Sequence, residues 1–187
     1  MDFDKLIKSR QSIRKFNSKK PDWRDIIESI EAARFIPTAG GNYVQKFIIV
    51  DDPDKIDQIA VACQQDFIAT AKYVVVVCSN PARLKNAYGK NGESYTKQQA
   101  GATIQNFLIK LEEFGLSTCW VGYFLDDSIK KILEIPEQTD IEAIFPIGFE
   151  YEKKRTKKAP IDLDQVIYFN LYGEKYMGRK FDKSQDA

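Results

Sequence analysis

The chain of 187 residues is long enough for one domain with its own hydrophobic core. Its 28 lysine and arginine residues nearly balance 27 aspartate and glutamate residues, so the net charge of +1 gives no general attraction to nucleic acid or to an anionic membrane. The sequence has no histidine and only three scattered cysteines, which excludes histidine-based catalysis and argues against a zinc site. No Asp-rich loop with Ca²⁺ or Mg²⁺ spacing is present, so no metal site is expected.

The N-terminus lacks the apolar region of a signal peptide, and the longest strongly apolar run, residues 73–78, is too short to cross a bilayer. Three cysteines without an evident pairing are typical of a reducing compartment. We therefore expect a cytoplasmic protein without a membrane partner.

Apolar spacing and capping residues predict the elements in chain order. The predicted helices are residues 2–8, 23–35 with Asp22 as cap, 54–63, 96–114 ended by Gly115, and 128–133 capped by Asp126 and Asp127. The predicted strands are residues 46–50, 72–79, 117–121 and 141–147. Residues 37–42 and 152–160 are expected to be loops. This mixed order favours an α+β or α/β sandwich around one sheet.

Three stretches carry a family resemblance. Residues 9–16, SRQSIRKF, are similar to an R-x-S-x-R-x-[FY] motif. Residues 101–108, GATIQNFL, and residues 115–122, GLSTCWVG, resemble a long central helix followed by a G-L-x-[ST]-x-W-x-G strand. The third stretch consists of FPIGF at 145–149, a basic loop and LDQVIY at 163–168. Together, in this order, they resemble the nitroreductase family of FMN enzymes.

The resemblance implies an α+β fold, a three-layer α-β-α sandwich with a central, mainly antiparallel sheet, in an intertwined homodimer. Residues 1–187 would form a single FMN-binding domain whose tail, about 163–187, packs on the partner subunit. It also implies that NADH or NADPH passes hydride through FMN to an acceptor such as a nitroaromatic or a quinone, in two steps at one shared site. The flavin carries this chemistry, so no catalytic side chain is assigned.

The first basic segment contains Arg10, Gln11, Ser12 and Arg14. In extended backbone, alternate side chains point to one side, which suits charge-assisted contacts with a phosphate. The resemblance assigns Arg10 and Ser12 to the phosphate end of FMN and Arg14 to the ring near N1 and O2, and it includes Gln11 among the cofactor-binding residues. The alternative is a solvated basic turn.

The second basic segment lies between residues 153 and 158. In the family, cations just before the proline at this point close over the FMN phosphate, which implies roles for Arg155, Lys157 and Lys158 ahead of Pro160. A surface charge run and a nucleic-acid patch are the alternatives, and the balanced net charge argues against nucleic acid.

The loop from residue 37 resembles the family segment that reaches the partner's flavin. Pro37, Thr38, Ala39, Asn42 and Gln45 are its implied cofactor contacts. The pattern departs from the family because two glycines precede Asn42, because Gln45 follows it by three residues rather than two, and because the usual Pro-Trp is missing. The alternative is a Gly-rich loop that only turns into the next strand.

The resemblance also places a backbone donor near flavin N5 at Gly122. Tyr123 and Phe124 could line the substrate face, or could belong to the core. Trp120 and Phe107 are expected in the core.

Two further positions receive no chemical role. Cys119 is expected to be structural, because nothing near it in sequence lowers its pKa. Gln99 stands where many family members carry an acid, and the sequence assigns it no function.

Three other interpretations stay open. The chain could be a related flavin enzyme, for example one that performs reductive dehalogenation or flavin fragmentation. It could be a non-catalytic FMN-binding or storage protein. It could also be a basic-loop binding module without flavin.

Overall fold

The computed structural model describes residues 2–152 and 161–177. Its helices are α1 (Phe3–Ser9), α2 (Trp23–Ala33), α3 (Pro53–Cys63), α4 (Ala82–Tyr88), α5 (Asn91–Glu113) and α6 (Asp126–Leu133). Its strands are β1 (Gln45–Val50), β2 (Tyr73–Ser79), β3 (Ser117–Thr118) and β4 (Asp140–Gly148). Short 3-10 turns occupy Ala39–Gly41, Asp66–Thr70 and Leu163–Gln165.

The four strands form one antiparallel sheet in the order β1-β2-β4-β3. Strand β2 lies inside the sheet, and all seven of its residues are buried. A half-exposed strand would alternate apolar and polar residues, whereas β2 must be apolar on both sides. The unbroken Val74–Val77 run is therefore explained by helices on both faces.

Alternate residues of β2 belong to two separate cores. Val74 and Val76 share one buried cluster with residues of α3 and α6, including Ile59 and Ile129. Val75 and Val77 share the second cluster with residues of α2 and α5. The α+β, three-layer α-β-α architecture expected from the sequence is confirmed, as is the antiparallel sheet.

Local signals explain most helix ends. The Asp22 side chain accepts a hydrogen bond from the Arg24 N–H at 2.9 Å, which confirms the predicted cap of α2. Gly115 follows α5 with φ +70°, as expected for a glycine after a helix end.

The predicted cap of α6 is wrong. The helix begins at Asp126 itself, and Leu125 is the cap residue without a side-chain cap bond. Asp126 and Asp127 lie in the first turn, where carboxylates interact favourably with the positive end of the helix without capping it. Asp126 also pairs with Lys130, one turn later, at 2.9 Å.

Two further expectations need correction. Helix α4 has no counterpart among the predicted elements, and α5 begins at Asn91 rather than residue 96. The Gly89–Gly92 segment has the composition of a loop, but Gly92 is buried where α4 and α5 meet. The third strand is also shorter than expected, since only residues 117–118 form β3 and Val121 makes a separate bridge to Ile144.

The chain divides into two compact units, Met1–Arg155 and Thr156–Ala187. The described part of the second unit, residues 161–177, contains the turn Leu163–Gln165 and many exposed apolar side chains. A single domain whose tail packs on a partner subunit stays a prediction. Within residues 2–152 and 161–177, no helix combines the length and apolar character needed to cross a membrane.

The contact between α4 and α5 can be tested at Gly92. An added Cβ would lie 2.4 Å from backbone atoms of Leu84 and Lys85, which cannot move without separating the helices. We expect Gly92→Ala to lower the free energy of unfolding by about 1–3 kcal/mol in urea denaturation, although alanine normally favours a helix.

Ser94→Ala, at an exposed position of the same helix, is the matched control. It should change the free energy of unfolding by no more than about 0.5 kcal/mol. Unchanged stability of Gly92→Ala would contradict the close packing of α4 on α5.

Candidate functional site

The first basic segment is held at the β3 edge of the sheet. Ser12 forms a parallel bridge with Thr118, and the Ile13 N–H donates to the Thr118 carbonyl at 2.9 Å. Phe16 is buried over Gly148, where an added Cβ would lie 2.9 Å from the Phe16 ring. The extended conformation expected for residues 10–14 is thus fixed by backbone pairing and by one buried aromatic side chain.

Three of the predicted cofactor-binding side chains converge on Cys119. Burial raises the pKa of the Cys119 thiol, while the charges of Arg14 and Arg10 and side-chain hydrogen bonds with Ser12 and Arg14 act to lower it. Burial prevails, so the thiol stays protonated near neutral pH. A raised pKa agrees with the structural role expected for Cys119, but the reason differs: the cations are close in space, and burial outweighs them.

The neighbouring strand residue contributes an unused polar atom. Thr118 is 5% exposed, and its Oγ1 has no hydrogen-bond partner within the described residues. A buried hydroxyl normally finds a partner, because an unpaired one costs free energy. Two guanidinium groups and two hydroxyls at one sheet edge can together bind an oxyanion. In the described ranges no cluster of cysteine and carboxylate side chains suits a metal ion.

The predicted flavin loop turns tightly at the opposite end of the sheet. The Asn42 N–H donates to the Ala39 carbonyl at 3.1 Å, and the Asn42 Nδ2 donates to the same oxygen at 3.1 Å. Gly40 and Gly41 have φ values of +57° and +72°, which favour glycine at both positions. The two glycines that depart from the family pattern therefore have a conformational reason.

Gln99 of α5 fastens this loop. With its amide oriented to satisfy both neighbours, Nε2 donates to the Asn42 carbonyl and Oε1 accepts from the Ala39 N–H, each at 3.1 Å. The side chain is 4% exposed. The only signal for this contact in the sequence is the absence of the acid that many family members carry at this position.

Gln45, the last predicted residue of the loop, is 2% exposed at the start of β1. Its Nε2 donates to the Thr96 carbonyl of α5 at 3.3 Å, while its Oε1 has no partner within the described residues. The amide of Gln45 thus lies against α5, and only its Oε1 remains available to a ligand.

A cavity of about 400 Å³ lies between the loop and α5. Its lining residues carry no formal charge: Pro37, Thr38, Ala39, Tyr95, Gln98, Gln99 and Ala102. The Tyr95 ring meets the Tyr88 ring edge-on, with centroids 5.3 Å apart. Such a cavity suits a flat, neutral group rather than a phosphate.

The residues after β3 differ in exposure. Gly122 is exposed, and Tyr123 is 60% exposed, so both are accessible to a ligand. Phe124 is half-buried and packs against the core beside α3 and α6. Phe107 is fully buried as expected, whereas the expectation for Trp120 is wrong: it is 44% exposed, with one face near the Phe145 ring.

The second basic segment, with Arg155, Lys157 and Lys158, lies outside the described residues. Their assignment to a phosphate stays a prediction.

Two groups of predicted ligands lie far apart in one chain. Thr118, beside Ser12, pairs with Ile147, which pairs with Tyr73 at one end of β2. Gln45 pairs with Ser79 at the other end. Tyr73 and Ser79 are six positions apart along β2, which separates these ends by roughly 20 Å. The β3 and β1 strands are also opposite edges of the sheet, so within one protomer the two groups lie at opposite edges as well as at opposite ends.

Comparison with known proteins gives the family. The model of the Nitroreductase family matches residues 7–67 and 59–149, which include both groups of predicted ligands described above. The chain belongs to the nitroreductase family.

Three relatives illustrate the range of this family. A protein of Archaeoglobus fulgidus with the provisional name NADH dehydrogenase/NAD(P)H nitroreductase is 24% identical over 155 residues, covering 80% of this chain and 86% of the relative. The iodotyrosine deiodinase of Thermotoga neapolitana is 23% identical over 177 residues, covering 80% and 89%. The FMN-dependent nitroreductase of Clostridium difficile shares the fold, with a TM-score of 0.75, 21% identity and coverage of 89% and 98%.

The buried thiols of this nitroreductase-family chain give a testable result. Burial raises the pKa of Cys63 to about 11 and that of Cys78 to about 12, and it raises the pKa of Cys119 as well. The reactive thiolate is therefore scarce at neutral pH and becomes common only as the pH rises towards these values. We expect a thiol reagent at about pH 8 to modify none of the three cysteines in the native protein within minutes.

The same reagent should modify all three after unfolding in urea, which serves as the control. Rapid native labelling of Cys119, located by peptide mass spectrometry, would contradict the conclusion that burial outweighs the two arginines.

Proposed function

We propose that the protein is an FMN-dependent oxidoreductase that transfers electrons from NADH or NADPH to a small-molecule acceptor such as a nitroaromatic or a quinone. The observation that carries this proposal is the convergence of Arg10, Ser12 and Arg14 at the β3 edge. Membership of the nitroreductase family supports the same activity.

The residues at this edge fit FMN. A flavin phosphate is a dianion, and Arg10 with Ser12 offers it a cation and a hydroxyl. The Thr118 Oγ1, buried without a partner among the described residues, adds a third polar group beside them. We infer that Arg10 and Ser12 hold the phosphate end, and Gln11 between them stays a proposed cofactor contact without a more specific role.

The role of Arg14 is electrostatic. Arg14 would lie against the flavin ring, where its fixed positive charge stabilises negative charge that develops on reduction. The bound FMN would supply the redox chemistry itself, accepting two electrons from the nicotinamide and delivering them to the acceptor. The protein's residues would bind FMN, orient it and tune its reduction. The N–H of exposed Gly122 would be available as a donor to the ring.

The proposed site needs two copies of the chain. Arg14 is an implied ring contact, and the loop residues Asn42 and Gln45 are implied ring or ribityl contacts, yet the two groups lie at opposite ends of the sheet. A symmetric dimer brings the loop of one protomer to the Arg10–Arg14 segment of its partner. Exposed apolar side chains such as Phe3 and Phe35, 65% and 76% exposed, are available for this contact.

A second candidate is reductive removal of halide from an aromatic ring. The observation that supports this candidate is the similarity to the iodotyrosine deiodinase of Thermotoga neapolitana. It would use the same flavin site with a different acceptor. Release of iodide from iodotyrosine by the reduced protein, without comparable reduction of nitroaromatics or quinones, would select this candidate.

The donor is tested by visible absorption of the purified, gel-filtered protein. We expect a flavin band, present as isolated or after addition of FMN, that bleaches under anaerobic NADH or NADPH and returns when an acceptor is added. The control is free FMN at the same concentration, which reacts slowly without the protein.

A flavin band that neither donor bleaches would point to a storage protein or to another donor. The absence of a flavin band after incubation with FMN would overturn the proposed function.

The phosphate assignment is tested by the double variant Arg10→Ala and Ser12→Ala. Loss of a charged and a neutral hydrogen bond should raise the Kd for FMN by about a hundredfold or more. Arg24→Ala with Ser18→Ala removes the same chemistry at exposed positions away from the β3 edge and should leave the Kd unchanged. Wild-type affinity in the first variant, with both variants folded by circular dichroism, would refute the assignment.

A further inference from the structure

We propose that Gln99 is a positioning residue for the flavin loop, and that it performs this role because an amide is both donor and acceptor. The inference rests on the proposed function, since it concerns the loop that would contact the partner's flavin. Gln99 itself reaches backbone atoms of the loop. Its effect on the flavin would therefore pass through Ala39 and Asn42.

The two hydrogen bonds of Gln99 hold both sides of the loop turn. One bond restrains the N–H at Ala39, where the turn begins, and the other restrains the carbonyl at Asn42, where it ends. Between them lie Gly40 and Gly41, whose positive φ values leave this stretch of backbone with the largest conformational freedom. Gln99 thus restrains the segment that would otherwise be the least defined part of the loop.

Two neighbouring contacts place the loop and its end against α4 and α5 close to Gln99. Gln45 donates to the Thr96 carbonyl, which ties the end of the loop to α5 one turn away from Gln99. On the other side, the Tyr88 hydroxyl lies close to Gly40, so that an added Cβ there would meet it at 2.4 Å. Since Gln99 is 4% exposed, water cannot easily replace its hydrogen bonds.

The chemistry at this position distinguishes an amide from a carboxylate. An ionised glutamate could accept from the Ala39 N–H, but it would place negative charge against the Asn42 carbonyl and leave that oxygen without a donor. A protonated glutamate has one O–H donor and one acceptor, so it reproduces the pattern of the amide. A buried carboxyl that faces a carbonyl has a raised pKa, so the protonated form is reached in mildly acidic solution.

The experiment measures the Kd for FMN against pH in the wild type, Gln99→Glu, Gln99→Met and Gln58→Glu. We expect Gln99→Glu to bind FMN about tenfold or more weakly than the wild type at about pH 8 and to recover most of this loss at about pH 5.5. Gln99→Met, which lacks both polar atoms, should bind weakly at every pH.

Gln58→Glu is the matched control. It makes the same substitution at an exposed position of α3, outside the cavity and without these hydrogen bonds. Because the FMN phosphate itself titrates near about pH 6, each variant is compared with the wild type at the same pH. Gln58→Glu should follow the wild-type curve within about threefold, since exposed charges are well screened.

Hydrogen exchange of the peptide that contains residues 39–42 gives a readout independent of flavin. We expect faster exchange in Gln99→Glu than in the wild type at about pH 8 and a smaller difference in mildly acidic solution, after correction for the intrinsic effect of pH. Thermal unfolding of each variant shows whether the whole domain, rather than the loop, has changed.

The outcomes separate the two hypotheses. A wild-type protein that does not bind FMN would overturn the proposed function and this role together. Wild-type binding with a pH-independent Kd ratio for Gln99→Glu, or an equal effect of Gln58→Glu, would overturn the role of Gln99 alone. Faster hydrogen exchange in the loop without any change in FMN affinity would likewise show that Gln99 stabilises the loop but does not affect FMN binding.

Discussion

Strand β2 is buried on both faces, and the placement of the candidate site depends on this packing. All seven residues of Tyr73–Ser79 are buried, and alternate side chains enter separate cores beneath α3 and α6 or beneath α2 and α5. Burying one large apolar side chain contributes about 1.5–3 kcal/mol, and a shift of one residue would exchange the two faces. The register of β1 and β4 on either side is therefore fixed, and so are the ends of the sheet from which the functional segments extend.

This fixed sheet has a direct consequence for function. The Arg10–Arg14 segment pairs with β3, and the Pro37–Asn42 loop leads into β1 at the opposite edge and the opposite end. Helix α5 cannot bend to bring them together, because it packs along α2 and beneath the sheet. If both groups contact one flavin, as we propose, the second group comes from another copy of the chain. The proposed dimer would then be needed to complete the site.

The two groups of candidate ligands also differ in their charge and in their hydrogen bonding. At the β3 edge, cations and hydroxyls surround a buried thiol, and desolvation determines that the thiol remains neutral. At the loop, a buried amide is fully used by two backbone groups and carries no charge. The first environment favours an anion, and the second favours a neutral, flat group beside the uncharged cavity. The first environment therefore suits the phosphate end of the proposed cofactor, with Arg14 extending towards its ring, and the second suits the ring.

The sequence by itself determined the features that depend on short windows of chain. Apolar spacing and Asp22 located α2, the valine run located β2, and the missing histidine excluded whole classes of mechanism. Motifs in family order predicted the fold and the Arg10–Arg14 segment. The tertiary structure alone decided that the glycine-containing segment before residue 96 is helical, that Trp120 is half-exposed, and that Gln99 holds the loop. The physical reason is that these features depend on close approach between segments distant in sequence, whereas propensity and periodicity describe only neighbours along the chain.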